Sequence, residues 1–246
     1  MKIESIQNAK VKEWNKLKEK KYRDQTSHFI IEGDHLLKEA LKTQQVLEII
    51  ALTEEFKEEN IPFYEVTENI MKKLSKQQSI PKVIAICKKA IKKNIHGNVC
   101  LLDDIQDPGN LGTIIRSAVA FQIDTIILSD NTVDMYNEKV LRASEGMIFH
   151  LNILRGNIAE YCKTLKQQGY CIYGTNVQNG QSLKDISFSS KSAIIIGNEG
   201  RGMNPALQQD CDKLIYIPMT NQCESLNAGV CASIIFYEMH KKEGIS

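Results

Sequence analysis

Leu214–Met239 reads LIYIPMTNQCESLNAGVCASIIFYEM. A β-type apolar run ends here in a loop carrying Pro218. Ser225-Leu226-Asn227 then opens a helix that is apolar and small almost all the way round. Upstream lies a second strand-to-loop break, Ala193–Gly202 (AIIIGNEGRG). Two strand ends with polar, Gly-rich loops are what a fold needs to grip a small ligand with backbone groups. The pair points to ligand-binding chemistry rather than to a purely structural domain.

Working outward, the second half begins with a strand at Val99–Ile105, turn chemistry at Asp107-Pro108-Gly109-Asn110, and a helix from Leu111 to Phe121. Leu111, Ile114, Ile115, Ala118 and Val119 form one apolar face of that helix. Strand Thr125–Leu128 follows, then helices at Asn137–Glu145 and Ile158–Gln168. Next come strands at Tyr170–Thr175 and Ser192–Ile196, a short helix with Asn204 as N-cap and Pro205 at its first position, strand Lys213–Ile217, and the final helix Leu226–His240. This alternation predicts a parallel sheet covered by helices, with ligands outside the carboxyl ends of the strands. The front half reads as an amphipathic helix over 5–21 (Ile6, Val11, Trp14, Leu17), strands at His28–Glu32, Val46–Leu52, Phe63–Val66 and Lys82–Cys87, and helices at Asp34–Lys42, Glu54–Asn60 and Glu68–Lys76. Lys88–Gly97 is the candidate linker, which places two α/β domains at residues 1–93 and 94–246.

Composition is that of an ordinary globular chain, with 42% hydrophobic and 25% charged residues. No apolar stretch approaches the ~20 residues that span a bilayer. The first residues lack the apolar core of a signal peptide, so a cytoplasmic protein is expected. Seven cysteines without a CxxC pair argue against a disulfide framework or a structural zinc site. Cys223 lies in the informative loop, but no His stands near it in sequence to activate it. Residues 1–96 hold nineteen Lys and Arg against fourteen Asp and Glu, whereas 97–246 hold twelve against sixteen. A basic front half suits an anionic partner such as nucleic acid; a solvated Lys-rich helix face is the plain alternative.

Three clusters carry candidate chemistry. Asn110 sits where a helix N-cap would stand. Arg116 is a cation in a helix otherwise poor in charge, able to hold a phosphate or carboxylate by two parallel bonds, or simply to occupy the polar face. Gly197-Asn198-Glu199-Gly200-Arg201-Gly202 is neither GxGxxG nor a P-loop. Its glycines allow a ligand close to the backbone, or merely a polar turn. Ser225 reads as an N-cap for the last helix. Ala228/Ala232 and Gly229/Ser233 repeat at i, i+4, so that helix is expected to be buried against a sheet or a second subunit.

Taken in order, three blocks resemble the SpoU/TrmH family of RNA ribose 2′-O-methyltransferases within the SPOUT superfamily. They are Asp107–Ala118 (DPGNLGTIIRSA), Ile196–Gly202 (IGNEGRG), and Ile217–Met219 (IPM) with Glu224–Ala228 (ESLNA). Phe29–Ala40 (FIIEGDHLLKEA) is similar to the family's substrate-binding domain. The chain departs from the family pattern at Ala228-Gly229 and at Glu145-Gly146-Met147.

The resemblance implies a C-terminal α/β-knot domain, with a deep trefoil knot and parallel sheet, behind a smaller L30e-like α/β domain. It implies S-adenosyl-L-methionine as cofactor, no metal, a homodimer through the knot helices, and structured ribosomal or transfer RNA as substrate. The implied catalytic positions are Arg116, Asn110, Glu199, Ser225 and Asn227. The implied cofactor positions are Thr175, Asn176, Gly197, Asn198, Gly200, Ile217, Met219, Ser225, Leu226, Asn227 and Ala228. Asn110 and Asn227 would position ribose or cofactor, Glu199 would fix the Gly-rich loop through backbone N–H groups, and Arg116 would bind phosphate and stabilise a developing alkoxide. A non-catalytic RNA-binding assembly factor and a base-methylating enzyme of the same fold are the alternatives.

Overall fold

The computed structural model describes residues 1–91, 94–176, 180–220 and 222–241, so part of the expected linker (92–93) lies outside the described residues. The chain forms two compact units. One comprises Met1–Ile91 with Tyr136–Phe149, the other Lys92–Met135 with His150–Ser246.

The first unit contains β1 (Lys2–Ile3), α1 (Ala9–Lys16), α2 (Lys20–Thr26), β2 (His28–Glu32), α3 (Asp34–Lys42), β3 (Val46–Ala51), β4 (Phe63–Val66), α4 (Glu68–Leu74) and β5 (Val83–Lys88). Its sheet runs β1-β4-β3-β5-β2, with β5 antiparallel to both neighbours. Val11, Trp14 and Leu17 pack with Ile70, Met71 and Leu74 over Ile50, Ile84 and Ile86. Trp14 is buried, yet its indole N–H is satisfied by Glu48 Oε2 at 2.6 Å. Phe29 meets the rings of Tyr136 and Phe149, at centroid distances of 4.4 and 6.1 Å, which explains why the 136–149 segment belongs to this unit.

Two expectations are corrected here. The single helix over 5–21 is two helices, because the chain turns at Leu17–Glu19 and Arg23 Nη1 donates to the freed carbonyls of Leu17 and Lys18, both at 2.9 Å. Ile6 lies outside α1 and is exposed. The helix expected over Glu54–Asn60 is one 3-10 turn, Glu54–Phe56, and Asn60 already has φ +66°.

The second unit contains β6 (Asn98–Leu102), α5 (Pro108–Ala120), β7 (Ile123–Leu128), β8 (Asn152–Arg155), α7 (Ile158–Gln167), β9 (Cys171–Thr175), β10 (Gln181–Ser182), β11 (Ser192–Ile196), α8 (Pro205–Gln208), β12 (Lys213–Tyr216) and α9 (Ala228–Lys241); α6 (Glu138–Ala143) is the helix of the 136–149 segment. Its sheet is parallel throughout, in the order β10-β12-β9-β11-β6-β7-β8. β6 and β11 are buried along their whole length, as central strands of a doubly covered parallel sheet must be. Val99, Leu101, Ile127, Ala193 and Ile195 pack beneath Ile158, Cys162 and Leu165 of α7. Alternation sends Cys100, Leu102, Ile126, Ile194 and Ile196 to the other face.

α9 packs on α5. The two helices run parallel with a constant offset. A Cβ built on Gly229 would lie 3.1 Å from Thr113, Ser117 Oγ is 2.6 Å from Ser233 Oγ, and the Phe121 and Tyr237 rings meet at 5.6 Å. The small residues of α9 therefore face a helix of the same chain. β8 and β10 had no counterpart in the expected element list; both are short and weakly patterned.

Gly229→Val should drive its methyl groups into Thr113 and destabilise the protein by about 1–3 kcal/mol. Urea unfolding should show Thr113→Ala recovering part of that loss; equal stability of Gly229→Val and the unsubstituted protein would contradict the close helix contact.

Candidate active site

In a parallel sheet all carboxyl ends lie on one edge. The neighbours β6, β11, β9 and β12 therefore bring 103–107, 197–204, Asn176 and 217–219 side by side, although they are distant in sequence. The Gly-rich segment turns tightly after β11. A Cβ on Gly197 would lie 2.1 Å from the Met203 backbone nitrogen, so only glycine fits. Asn198 and Gly202 form an antiparallel bridge, and Asn198 Oδ1 accepts from the N–H groups of Gly200 (3.0 Å) and Arg201 (3.2 Å).

Glu199 leaves this turn toward the first block. Its carboxylate accepts from Gln106 N (3.2 Å), Asp107 N (3.1 Å) and Asn110 Nδ2 (3.0 Å). Asn110 Oδ1 accepts in turn from Asn227 Nδ2 at 2.7 Å. Asn227 Oδ1 then accepts from the Gly229 and Val230 N–H groups at the start of α9, at 2.9 and 3.2 Å. A relay of polar side chains thus runs from a carboxylate to a helix N-terminus. Burial works to raise the Glu199 pKa, but the Asn110 amide and the backbone N–H donors outweigh it, leaving the carboxyl below the ordinary glutamate range.

Three sequence assignments are corrected. Asn110 is not the N-cap of α5: the helix starts at Pro108, Asp107 caps it, and Asp107 Oδ1 accepts from Asn110 N at 2.8 Å. That places Asn110 inside the first turn and frees its side chain for the relay. Ser225 does not cap α9, because Asn227 does; Ser225 is exposed, and its carbonyl accepts from Cys223 Sγ at 3.2 Å. Glu199 holds the backbone of the first block, while the Gly-rich turn is folded by Asn198.

Beside the relay lies an open pocket at the carboxyl ends of β9 and β12. Thr175, Asn176, Ile217, Met219 and Leu226 line it, as do Ile215, Tyr216, Cys231 and Ile235, which were absent from the expected set. Cys231 and Ile235 stand one turn apart on α9, and that i, i+4 spacing from Asn227 was the available signal. Burial pushes the Cys231 thiol up to about 11, so it lines the pocket as a neutral apolar group. Gly197, Asn198 and Gly200 belong to the adjacent turn, and Ala228 is the buried first residue of α9. Arg116 lies six residues beyond Asn110, about 9 Å along the helix axis. It is exposed and makes no bond to any described residue. Among the described residues no group of three His, Cys, Asp or Glu is placed to hold a metal.

Residues 97–237 match the SpoU rRNA methylase family. The chain belongs to that family. Residues 8–85 match an MRM3-like substrate-binding domain. The chain is 39% identical over 243 residues to the Bacillus subtilis 23S rRNA (guanosine(2553)-2′-O)-methyltransferase RlmP, covering 96% of this chain and 98% of that one. It is 32% identical over 219 residues to a putative TrmH family tRNA/rRNA methyltransferase of Staphylococcus aureus, covering 84% and 87%. An AdoMet-bound rRNA methyltransferase from Sinorhizobium meliloti superposes with a TM-score of 0.89 at 26% identity, covering 100% of this chain and 99% of that one. Family members thus share the α/β architecture and parallel sheet found here.

Because the Glu199 pKa is depressed in the fold, its contribution to stability is present above the unfolded value and fades as pH falls through the folded one. Glu199→Gln should accordingly be less stable than the parent at neutral pH. Thermal melts across pH should show the gap closing below the ordinary glutamate range; a gap independent of pH would contradict the charged role.

Proposed function

We propose that the protein transfers a methyl group from S-adenosyl-L-methionine to a ribose 2′-hydroxyl of 23S ribosomal RNA, at a guanosine like that named for the Bacillus subtilis relative. The observation that carries the reading is the Glu199–Asn110–Asn227 relay standing beside an apolar pocket on the binding edge of a parallel sheet.

The residues present fit the cofactor. The pocket has mostly apolar walls, with Thr175 and Asn176 among its polar members. Ile217, Met219 and Leu226 would enclose the bound molecule, and the turn at Gly197, Asn198 and Gly200 would bring backbone groups close. Bound there, S-adenosylmethionine supplies an activated methyl group on a sulfonium. A ribose hydroxyl is a poor nucleophile that sheds its proton as it attacks, so in-line placement provides much of the acceleration.

Asn110 and Asn227 each retain an amide N–H beyond those used in the relay, and these are suited to donate to a ribose oxygen. Ser225 stands two residues ahead of Asn227, its hydroxyl open to a ligand. Arg116 stays protonated and is therefore no base. Its exposed guanidinium is suited to hold the neighbouring phosphate and stabilise the developing alkoxide.

On this reading residues 1–93 bind structured RNA as an L30e-like domain, and the Lys-rich front attracts phosphate without reading sequence. Residues 94–246 form the methyltransferase domain, with its chain threaded as a trefoil knot. Two copies associate through α5 and α9; Val230 and Tyr237, two turns apart and 46% and 50% exposed, support that face as the contact. The protein works in the cytoplasm and needs no metal. Among the described residues no helix is long and apolar enough to cross a membrane.

Purified protein incubated with 23S RNA and labelled cofactor should yield a 2′-O-methylated nucleoside on digestion. Arg116→Ala should lower kcat on the order of 10²-fold while leaving the calorimetric affinity for S-adenosylmethionine unchanged within about twofold. Full turnover by Arg116→Ala would remove the assigned chemistry. Absence of cofactor binding would favour an assembly factor, and a methylated base would favour base chemistry.

A further inference from the structure

We propose that Asp104 is a positioning residue that clamps the 197–202 turn so that Glu199 meets Asn110; its effect on turnover rests on the methyl-transfer reading above. Asp104 lies just beyond the end of β6 and has φ +60°, a left-handed conformation that a non-glycine residue keeps only where its surroundings hold it. Those surroundings are visible. Ser129 Oγ donates to Asp104 Oδ1 at 2.6 Å and accepts from Asp104 N at 2.9 Å. Ser129 is itself fixed, because Arg155 donates to the carbonyls of Ser129 (2.8 Å), Thr132 (2.7 Å) and Val133 (2.9 Å).

From that anchored position Asp104 grips the turn on both sides of Glu199. Its carbonyl accepts from Asn198 Nδ2 at 2.7 Å, and its carboxylate pairs with Arg201. The Asp104 side chain is 13% exposed and that of Arg201 66%, so an anchored carboxylate meets a guanidinium that reaches it from the solvent side. Asp103 holds the downstream foot of the same loop, its Oδ2 accepting from Asn204 N at 2.7 Å. None of these groups touches the pocket. The turn is thus oriented from the β6 and β7 side, and a Gly-rich sequence alone would leave the direction of Glu199 unset. Displacing a catalytic group by about 1 Å is enough to cost on the order of 10²-fold in rate.

The test uses the full chain with Asp104→Gly, Asp104→Asn, Arg201→Gln and the double variant Asp104→Gly/Arg201→Gln. Glycine keeps the left-handed backbone and the carbonyl but removes the carboxylate. Asparagine tolerates the same φ and retains the Ser129 contact. Asp104→Gly should lower kcat by roughly ten- to a hundredfold with KM for RNA unchanged, and Asp104→Asn should recover part of the loss. The double variant should be no worse than Asp104→Gly. The Gln106 and Asp107 amides, bonded to Glu199, should exchange with solvent faster in Asp104→Gly.

Wild-type kcat in Asp104→Gly, additive losses in the double variant, or a kcat loss equal to the loss of folded protein in a thermal melt would each overturn the proposal. Amide exchange needs no activity. If the unsubstituted protein methylates no RNA, the functional reading falls, and exchange alone decides the clamp: unchanged rates at Gln106 and Asp107 end it.

Discussion

The carboxylate of Glu199 is shared among three N–H groups that belong to a segment about ninety residues earlier in the chain. Two of them precede the first turn of α5, where the helix dipole also favours negative charge. The contact exists because β6 and β11 are adjacent and parallel, so the loops leaving them emerge at the same edge. Remove that adjacency and Asn110 loses its acceptor, Asn227 loses its ordered partner, and the start of α9 is no longer tied to the start of α5. One charge therefore links three segments that no local interaction would bring together. Its desolvation is offset only because each bond is made to a charged acceptor, the stronger kind.

The α5/α9 contact complements this from the apolar side. Glycine inside a helix costs roughly 0.5–1 kcal/mol relative to alanine, yet Gly229 lets the helix backbone come within reach of Thr113. Ser117 and Ser233 repeat the close approach one turn later, with their hydroxyls paired. Parallel helices in this register hold Asn110 and Asn227 opposite one another at their N-terminal ends. The relay geometry is thus a consequence of helix packing as much as of its own hydrogen bonds.

Much of the fold was legible because apolar runs and caps are local signals. His28–Glu32, Phe63–Val66 and Ser192–Ile196 are strands where the sequence reads as strand, and Asn204-Pro205 starts α8 as expected. The errors share a cause. Asp107 and Asn110, or Ser225 and Asn227, are equally good capping candidates in sequence; Asn227 both caps α9 through Oδ1 and reaches Asn110 through Nδ2. Asn110 is drawn to Glu199 and leaves the cap to Asp107. Glu199 was misdirected for the same reason, since its donors sit on another strand's loop. The break at Leu17–Glu19 is marked by no glycine or proline and depends on Arg23 reaching back to the free carbonyls. β8, with four residues and two of them only partly buried, carries too little pattern to stand out.

Affinity and chemistry fall to different residues. On the proposed function the Lys-rich front half would supply attraction to a polyanion, an attraction that weakens with salt. The pocket at β9, β12 and α9 is mostly apolar, with Thr175 and Asn176 as polar members. On the same reading the remaining amide N–H groups of the relay would donate to a ribose, which every nucleotide carries. On the proposed function, the shape of the RNA presented to the site would contribute to selection of the target. Such recognition would suit a structured ribosomal segment whose fold brought one ribose to the relay and Arg116, as proposed.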